Sequence, residues 1–461
     1  MALLEFEASN WQEYLAGGGT RGLQRALASD PEAVIAEIMK SGLRGRGGAG
    51  FPTAIKMGAI RRNGDGKRYV VCNFSEGEPA TFKDRLLTRA NPYLMVEGLA
   101  ISAHALGADT AIICIKEAHE REIALTRQAL DDFNASGAFG DIQVLLTTGP
   151  DQYLLGEETG LLEAIEGKPT MPRVPRPFEI GLWAKYPEQN PTLVDNVETL
   201  ANITMILAEG ADWIRQWGTE RSPGTMLMTI AGDVAYEGCF EIELGTPMRV
   251  LLEDKAQGMR DGGTLRVIVP GASSPVIPPE LLDTPLDFDS MRTVGSGLGS
   301  ASFAVWDTTR CVVQLAEMYS RFLWVESCGQ CMSCKIGLGD ATSGLRRLLD
   351  EKGGGADVDY VIERARHGVD ANRCALPMGE VNLVQSFIRC FPEFWPHQNC
   401  PGHTDIPFPK VKDWDAEAGR FTYDEKVMRK TPDWHYADEP WRPADMRPAR
   451  KRLRDAFVGT N

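Results

Sequence analysis

Three cysteines within seven residues, Cys328-x-x-Cys331-x-x-Cys334, constrain this chain more than any other feature. Thiolates at that spacing can wrap one corner of a compact inorganic cluster, and the fold must then deliver a fourth ligand from elsewhere. Cys374, Cys390 and Cys400 are the candidates; Cys400 precedes a proline, as some ferredoxin ligands do. Structural zinc more often pairs two short cysteine knuckles, or one knuckle with histidines, and none of the six histidines adjoins this run. The spacing therefore favours iron–sulfur over zinc or unligated thiols. Ten cysteines in 461 residues are too sparse for a disulfide scaffold, so the expected compartment is reducing.

The length suits two to four domains. A content of 43% hydrophobic and 25% charged residues excludes a mainly disordered or fibrous chain. No apolar run approaches the roughly 18 residues of a membrane span, and the N-terminus MALLEFEASN carries acids where a signal peptide needs bases. The expectation is a cytoplasmic chain, free or at the cytoplasmic face of a membrane complex. A net charge of −15 repels nucleic acid and anionic lipid. Residues 40–68 run against that sign: Lys40, Arg44, Arg46, Lys56, Arg61, Arg62, Lys67 and Arg68 face a single acid, Asp65. Such a cluster fits either a bound anion or a solvated basic face.

The first 30 residues read as a loose arm broken at Gly17-Gly18-Gly19. Asp30 and Pro31 signal a helix start, Val34, Ile35, Ile38 and Met39 give it one apolar face, and Gly42 ends it. Over 31–218, strands at 69–72, 111–115 and 141–146 alternate with helices at 91–106, 118–133 and around Leu161 and Val197. That alternation predicts a parallel or mixed sheet covered on both faces. Residues 225–305 predict a small α+β domain, with short strands at 226–230, 238–244, 265–269 and 302–305 and one helix at 247–253. Residues 308–400 turn helical. The tail 401–461, rich in Pro and Trp and ending in a basic run over 442–454, is expected to wrap or dock.

Residues 42–50 hold five glycines. Such a loop lets backbone N–H groups approach an anion. Gly45, Gly47 and Gly50 match G-x-G-x-x-G, but the match follows a helix rather than a strand, so the simple dinucleotide fingerprint is rejected. What remains is a cationic loop with an aromatic, Phe51, suited to a flat, phosphate-bearing cofactor. Asn73-Phe74-Ser75-Glu76-Gly77-Glu78 follows a strand directly, where α/β sheets place ligands. Glu157 and Glu158 suit a helix start as well as a site, and Asp195 could simply cap a helix.

Taken together, SGLRGRGGAGFPT, EGEPATFKDR, GEET with LLEAIEG, PTLVDNVETLANI, and ESCGQC with a later Cys-Ala-Leu resemble one family, in its order and over about residues 30–392. It is the family of NADH-oxidising flavoprotein subunits of respiratory complex I, with the diaphorase subunits of NAD-reducing hydrogenases and NAD-dependent formate dehydrogenases. The resemblance implies a Rossmann-like flavin-binding α/β domain, a ubiquitin-like β-grasp domain and a C-terminal helical bundle holding a [4Fe–4S] cluster on Cys328, Cys331, Cys334 and Cys374. It implies an FMN cradle of Gly45, Arg46, Gly47, Gly48, Gly50, Lys56, Asn73, Glu76, Gly156, Glu157, Glu158, Asn196 and Thr199. Ser75, Tyr153, Val194 and Asp195 join the cofactor-binding set, and Phe51, Glu78 and Phe178 shape the NAD pocket. Ser75, Asp195 and Ala59 depart from the family pattern, which bears on flavin potential and nucleotide affinity.

Nicotinamide exchanges a hydride, iron–sulfur clusters exchange single electrons, and flavin does both. The implied activity is therefore an NADH/NAD+ diaphorase, in which no side chain need act as proton donor. Its implied partners are a small [2Fe–2S] thioredoxin-like subunit and a ferredoxin-like or catalytic subunit, since no motif here marks a molybdenum, tungsten or nickel site. The parent assembly reads as complex I, a hydrogenase or a formate dehydrogenase; a flavin-free, zinc-stapled scaffold is the rival class.

Overall fold

The computed structural model describes residues 3–436 apart from 64, 65, 351, 370, 398 and 435. Four strands, β1 (Tyr69–Phe74), β2 (Thr110–Lys116), β3 (Gln143–Gly149) and β4 (Thr192–Asn196), form a sheet in the order β3-β2-β1-β4. Every pairing in it is parallel. A parallel sheet needs cover on both faces, and the side chains of β1 show it. Val70 and Cys72 pack with Leu99 and Ile203 from the helices Pro92–Leu106 and Val197–Glu209. Tyr69 and Val71 pack with Leu161 and Leu162 of the helix Glu158–Ile165 on the other side.

Three elements escaped the reading by apolar period: the helices Thr53–Arg62 and Lys83–Ala90, and β4. The Lys83–Ala90 helix buries Lys83, Asp84 and Arg85. An inward face made of charges gives no apolar signal. Asp195 ends up inside β4 rather than capping a helix; Asn196 is the cap, its side chain accepting from the Glu198 N–H at 3.1 Å. Asp30 holds the cap position of the helix Pro31–Ser41 but makes no side-chain cap bond.

The N-terminal segment is not a loose arm. It forms the helices Trp11–Ala16 and Arg21–Leu27, with Leu3, Tyr14 and Leu23 buried. The fully buried Glu97 carboxylate holds them down, accepting from Tyr14 Oη at 2.5 Å and from the N–H groups of Thr20 and Leu23, each at 2.8 Å.

A second sheet, β6-β5-β8-β7, contains β5 (Thr225–Gly232), β6 (Gly238–Glu243), β7 (Leu265–Pro270) and β8 (Ser302–Asp307). Its central pair β5/β8 is parallel and its flanking pairs are antiparallel. The helices Val312–Glu326, Met332–Leu349, Gly355–His367 and Leu376–Cys390 follow and share a core with β7 and β8. The described part of the tail folds back on the body. Its hairpin, β9 (Val411–Asp415) with β10 (Arg420–Tyr423), buries Val411 and Phe421. Arg89 pairs with Asp413 at 2.7 Å and Lys430 with Glu326 at 2.7 Å. The basic run at 442–454 lies outside the described residues. Among the described residues no helix is long and apolar enough to cross a membrane.

Gly98 sets the closest approach of the two long helices behind the sheet. A Cβ there would sit 1.9 Å from the Leu200 carbonyl oxygen. Gly98→Ala is therefore expected to destabilise the chain by about 2 kcal/mol or more, since backbone must shift. Gly355→Ala, where a Cβ meets nothing within 4 Å, should stay within about 0.5 kcal/mol. Urea denaturation midpoints read both.

Candidate functional site

The sheet order fixes where a ligand can sit. From β1 the chain steps outward through β2 to β3, then returns to β4 on the opposite side of β1. Connections leaving neighbouring parallel strands in opposite directions open a crevice beyond their C-terminal ends. Those ends are Asn73 and Asn196, which are register partners. A cavity of about 430 Å³ opens there, within the range of cofactor sites.

Its roof is the glycine loop. Gly47 passes so close to β4 that a Cβ on it would lie 3.2 Å from the Asn196 Cβ. Gly50 is left-handed at φ +62°, and a Cβ there would strike the Phe288 ring at 2.4 Å. Backbone thus faces the cavity at Gly45, Gly47, Gly48 and Gly50. Phe51 stands at the rim, 53% exposed.

The floor is ionic. Lys83, which neither period nor spacing marks in the sequence, lines the cavity and is buried. Its ammonium donates to Asp84 Oδ1 at 2.7 Å, Asn196 Oδ1 at 2.9 Å and Glu198 Oε2 at 3.0 Å. Asn196 Nδ2 returns a bond to Asp84 Oδ2 at 2.6 Å. Glu76 accepts from the Asp84 N–H at 2.7 Å and Arg85 Nε at 2.6 Å, which ties the loop after β1 to the helix behind it. Glu157 caps the helix Glu158–Ile165, accepting from the N–H groups of Thr159 and Gly160 at 3.0 and 2.8 Å. Asn73 Nδ2 donates to the Gly156 carbonyl at 2.8 Å. Lys56 lies between Glu158 at 3.5 Å and Asp195 at 3.9 Å.

The far wall brings the cysteines in. Tyr153 Oη donates to Glu78 Oε2 at 2.8 Å, and the Ala272 N–H donates to Glu78 Oε1 at 2.7 Å. Removal from water pushes the Glu78 carboxyl up. Beside Tyr153, Leu154 lines the cavity together with Cys374, Ala375 and Leu376. Leu154, Cys374 and Leu376 also line a second, smaller pocket with Cys328, Cys331 and Cys334. Burial, reinforced by the neighbouring thiols, pushes Cys334 up to about 12, and burial pushes Cys374 up to about 11. Four thiols in such a place lose their protons readily only to metal. Among the described residues the one set of three or more ligand atoms within 4.8 Å of one another lies elsewhere. The four thiols surround a pocket too wide for a single ion, and a multi-iron cluster carries its thiolates on separate irons.

Three residues expected at the site lie off the cavity. The Arg46 side chain is buried away from it, donating to the Pro223 carbonyl at 3.0 Å, and burial lowers its guanidinium to about 10. Only its backbone serves the loop, the N–H donating to Thr199 Oγ1 at 2.9 Å. Ser75 is buried behind the wall, its hydroxyl donating to the Leu155 carbonyl at 3.0 Å. Phe178 is 41% exposed and does not line the cavity. Of the eight cations at 40–68, Lys56 alone lines it. Arg44 and Arg61 pair instead with Asp289 and Glu32. Cys390 ends its helix and lines neither pocket, and Cys400 lies beside Cys311.

Residues 38–205 match the Nuo51 FMN-binding domain, and residues 314–397 match the NADH-ubiquinone oxidoreductase-F iron-sulfur binding region. The F-type subunit 2 of NADH-quinone oxidoreductase from Rhizobium meliloti (strain 1021) is 38% identical over 407 residues, covering 85% of this chain and 95% of that relative. The chain belongs to the family of NADH-quinone oxidoreductase F-type subunits. The family is functionally mixed: NADP-reducing hydrogenase subunit HndC of Solidesulfovibrio fructosivorans is 34% identical over 406 residues, 85% of this chain and 82% of that one. A solved NAD+-reducing [NiFe]-hydrogenase in the air-oxidised state superposes with a TM-score of 0.72 at 32% identity. That match covers 83% of this chain and 65% of the solved one. The two family matches fall on the two halves of the site, the glycine-roofed cavity and the cysteine pocket.

Within this family member, Asp195 Oδ2 is buried in the cavity wall with no hydrogen-bond partner. Burial, opposed by Lys56, pushes the carboxyl up to about 6. A raised carboxyl favours the folded state below the unfolded pKa of 3.8 and loses that contribution as pH rises through about 6. Asp195→Asn removes the titration. In the flavin-stripped chain it should therefore gain about 1–3 kcal/mol over wild type at neutral pH and almost nothing below the unfolded pKa. Paired denaturation curves at two pH values measure the difference.

Proposed function

We propose that the chain is the NADH-binding FMN and [4Fe–4S] subunit of a multi-subunit oxidoreductase. The observation that carries this is the shared wall: the 374–376 segment and Leu154 border both the cavity and the cysteine pocket. Bound in these two places, FMN and the cluster supply the exchange between a hydride at nicotinamide and single electrons.

The residues fit an FMN. The glycine loop, Lys56, Asn196 and Thr199, at the first turn of the helix Val197–Glu209, would hold its phosphate-bearing end. Asp195 Oδ2 is an acceptor awaiting a donor, as a ring N–H would provide. Asn73 and Glu76 are fixed by their own hydrogen bonds, so the floor is organised before anything binds. Phe51 offers the nucleotide an aromatic face at the open side. Glu78, with both oxygens engaged, positions Tyr153 against the loop at Ala272. The cluster fit rests on the donor set: Cys328, Cys331 and Cys334 from the turn into the helix Met332–Leu349, and Cys374 just before the helix Leu376–Cys390.

In this reading residues 31–218 are the flavin and nucleotide domain, 225–305 a β-grasp domain and 308–400 the cluster domain. Residues 225–305 support the β-grasp reading through a four-stranded mixed sheet crossed by the helical stretch from Met248 to Lys255. The terminal donor or acceptor sits on partner subunits.

The test is the full-length chain prepared anaerobically with flavin and iron supplied. It should show flavin and iron–sulfur absorbance that bleaches on adding NADH. Cys374→Ser should lose the four-iron signal of the reduced protein and keep flavin, while Cys400→Ser should keep both. A colourless preparation, or a four-iron signal that survives Cys374→Ser and disappears in Cys400→Ser, overturns the assignment.

A further inference from the structure

A second cluster of metal-ligating side chains lies apart from the cofactor cavity and the cysteine pocket. Cys311 precedes the helix Val312–Glu326, and Cys400 lies in the segment that returns after the helix Leu376–Cys390. The two sulfurs and a ring nitrogen of His397 lie within 4.8 Å of one another. His403 Nε2 is 3.3 Å from His397 Nε2. Cys311, Cys400 and His403 fall outside the matched iron–sulfur region, which ends at residue 397. We propose that Cys311, His397, Cys400 and His403 bind a structural zinc ion that staples the C-terminal strap to the helical bundle.

The donor set and its size agree. Two thiolates with two imidazoles make a closed tetrahedral zinc shell. Zinc bonds of about 2.3 Å to sulfur and 2.0–2.1 Å to nitrogen put neighbouring donors about 3.3–3.8 Å apart, and the two imidazole nitrogens stand at 3.3 Å. A two-iron cluster with the same ligand types keeps its cysteines on one iron and its histidines on the other. Here a histidine nitrogen converges with both sulfurs, which suits one ion. Both cysteines are free thiols.

The surroundings hold the ligands in place. The N–H groups of Val312 and Val313 point at the Cys400 sulfur, the usual support for a thiolate at a helix start. Thr404, next to His403, is clamped to Gln314: Gln314 Nε2 donates to the Thr404 carbonyl at 2.7 Å, and the Thr404 N–H donates to Gln314 Oε1 at 3.3 Å. Arg310 Nη1 adds a bond to Thr404 Oγ1 at 3.2 Å. Beyond this point the chain runs to Lys410 and Lys430, which pair with Asp151 and Glu326 behind the cofactor wall. An ion here fixes where that strap begins.

The experiment uses the full-length chain grown with iron and zinc both supplied, then dialysed against a weak chelator. Metal analysis should find about one zinc per chain beside the cluster iron. Zinc-edge X-ray absorption of the wild type should show two sulfur and two nitrogen neighbours at the distances above. Cys311→Ser and His397→Ala should each lose at least nine-tenths of the zinc while iron and visible absorbance stay. His403→Ala should lose zinc to a competing chelator at least tenfold faster. Zinc below a tenth of an equivalent in wild type overturns the proposal, and so does zinc with four sulfur neighbours, which would mean a misloaded iron pocket. Extra iron lost by the same variants, or a Cys311–Cys400 disulfide mapped by alkylating the native chain, overturns it too. The wild-type absorption data decide the matter even where a variant fails to fold.

Discussion

The parallel pairing of β1 with β4 is the constraint on which the rest of the molecule depends. It sets Asn73 beside Asn196 at the open end of the sheet and sends the chain away in opposite directions from the two strands. The crevice this leaves cannot be closed by backbone of the same sheet, so the glycine loop, the turn at Tyr153 and the 374–376 segment each contribute one wall. A ligand in that crevice touches residues spread from Gly45 to Leu376. The cavity is thus a product of topology, and side chains only tune it.

Charge burial holds the walls in register. Lys83 is buried against Asp84 and Glu198, and Glu198 Oε1 also accepts the Leu227 N–H at 2.8 Å, reaching into the second sheet. Glu326 likewise bridges Lys430 of the strap and the Tyr153 N–H at 3.1 Å. Buried ion pairs add little net stability, because desolvation offsets most of their attraction. Removing one partner, however, strands the other charge at a cost of about 3–5 kcal/mol. Such networks specify one arrangement of the parts, which a site assembled from distant segments requires.

Two thiol assemblies on one helical bundle illustrate how donor spacing selects an inorganic partner. Cys328, Cys331, Cys334 and Cys374 surround a pocket without crowding a single point, as fits ligands on separate irons. Cys311, Cys400 and His397 crowd one point, as fits one ion. Both sets span the same helices, so the bundle is held at its cofactor side and at the start of the strap.

The sequence alone determined what is local. The strand and helix alternation of the first half, the glycine loop, the cysteine run and the family all follow from short stretches whose period or spacing carries the signal. Lys83 was legible only as part of a motif, because a buried ionic helix face has no apolar period. The side chains of Arg46, Ser75 and Phe178 could not be aimed from sequence, since neighbours distant in the chain turn them from the cavity: Pro223 takes the guanidinium and Leu155 the hydroxyl. Spacing likewise left Cys374, Cys390 and Cys400 equivalent. Tertiary structure separated them, placing Cys374 with the triplet and Cys400 with Cys311. Ligand convergence is a distance in space between residues far apart along the chain, and only the packing of the helices between them sets that distance.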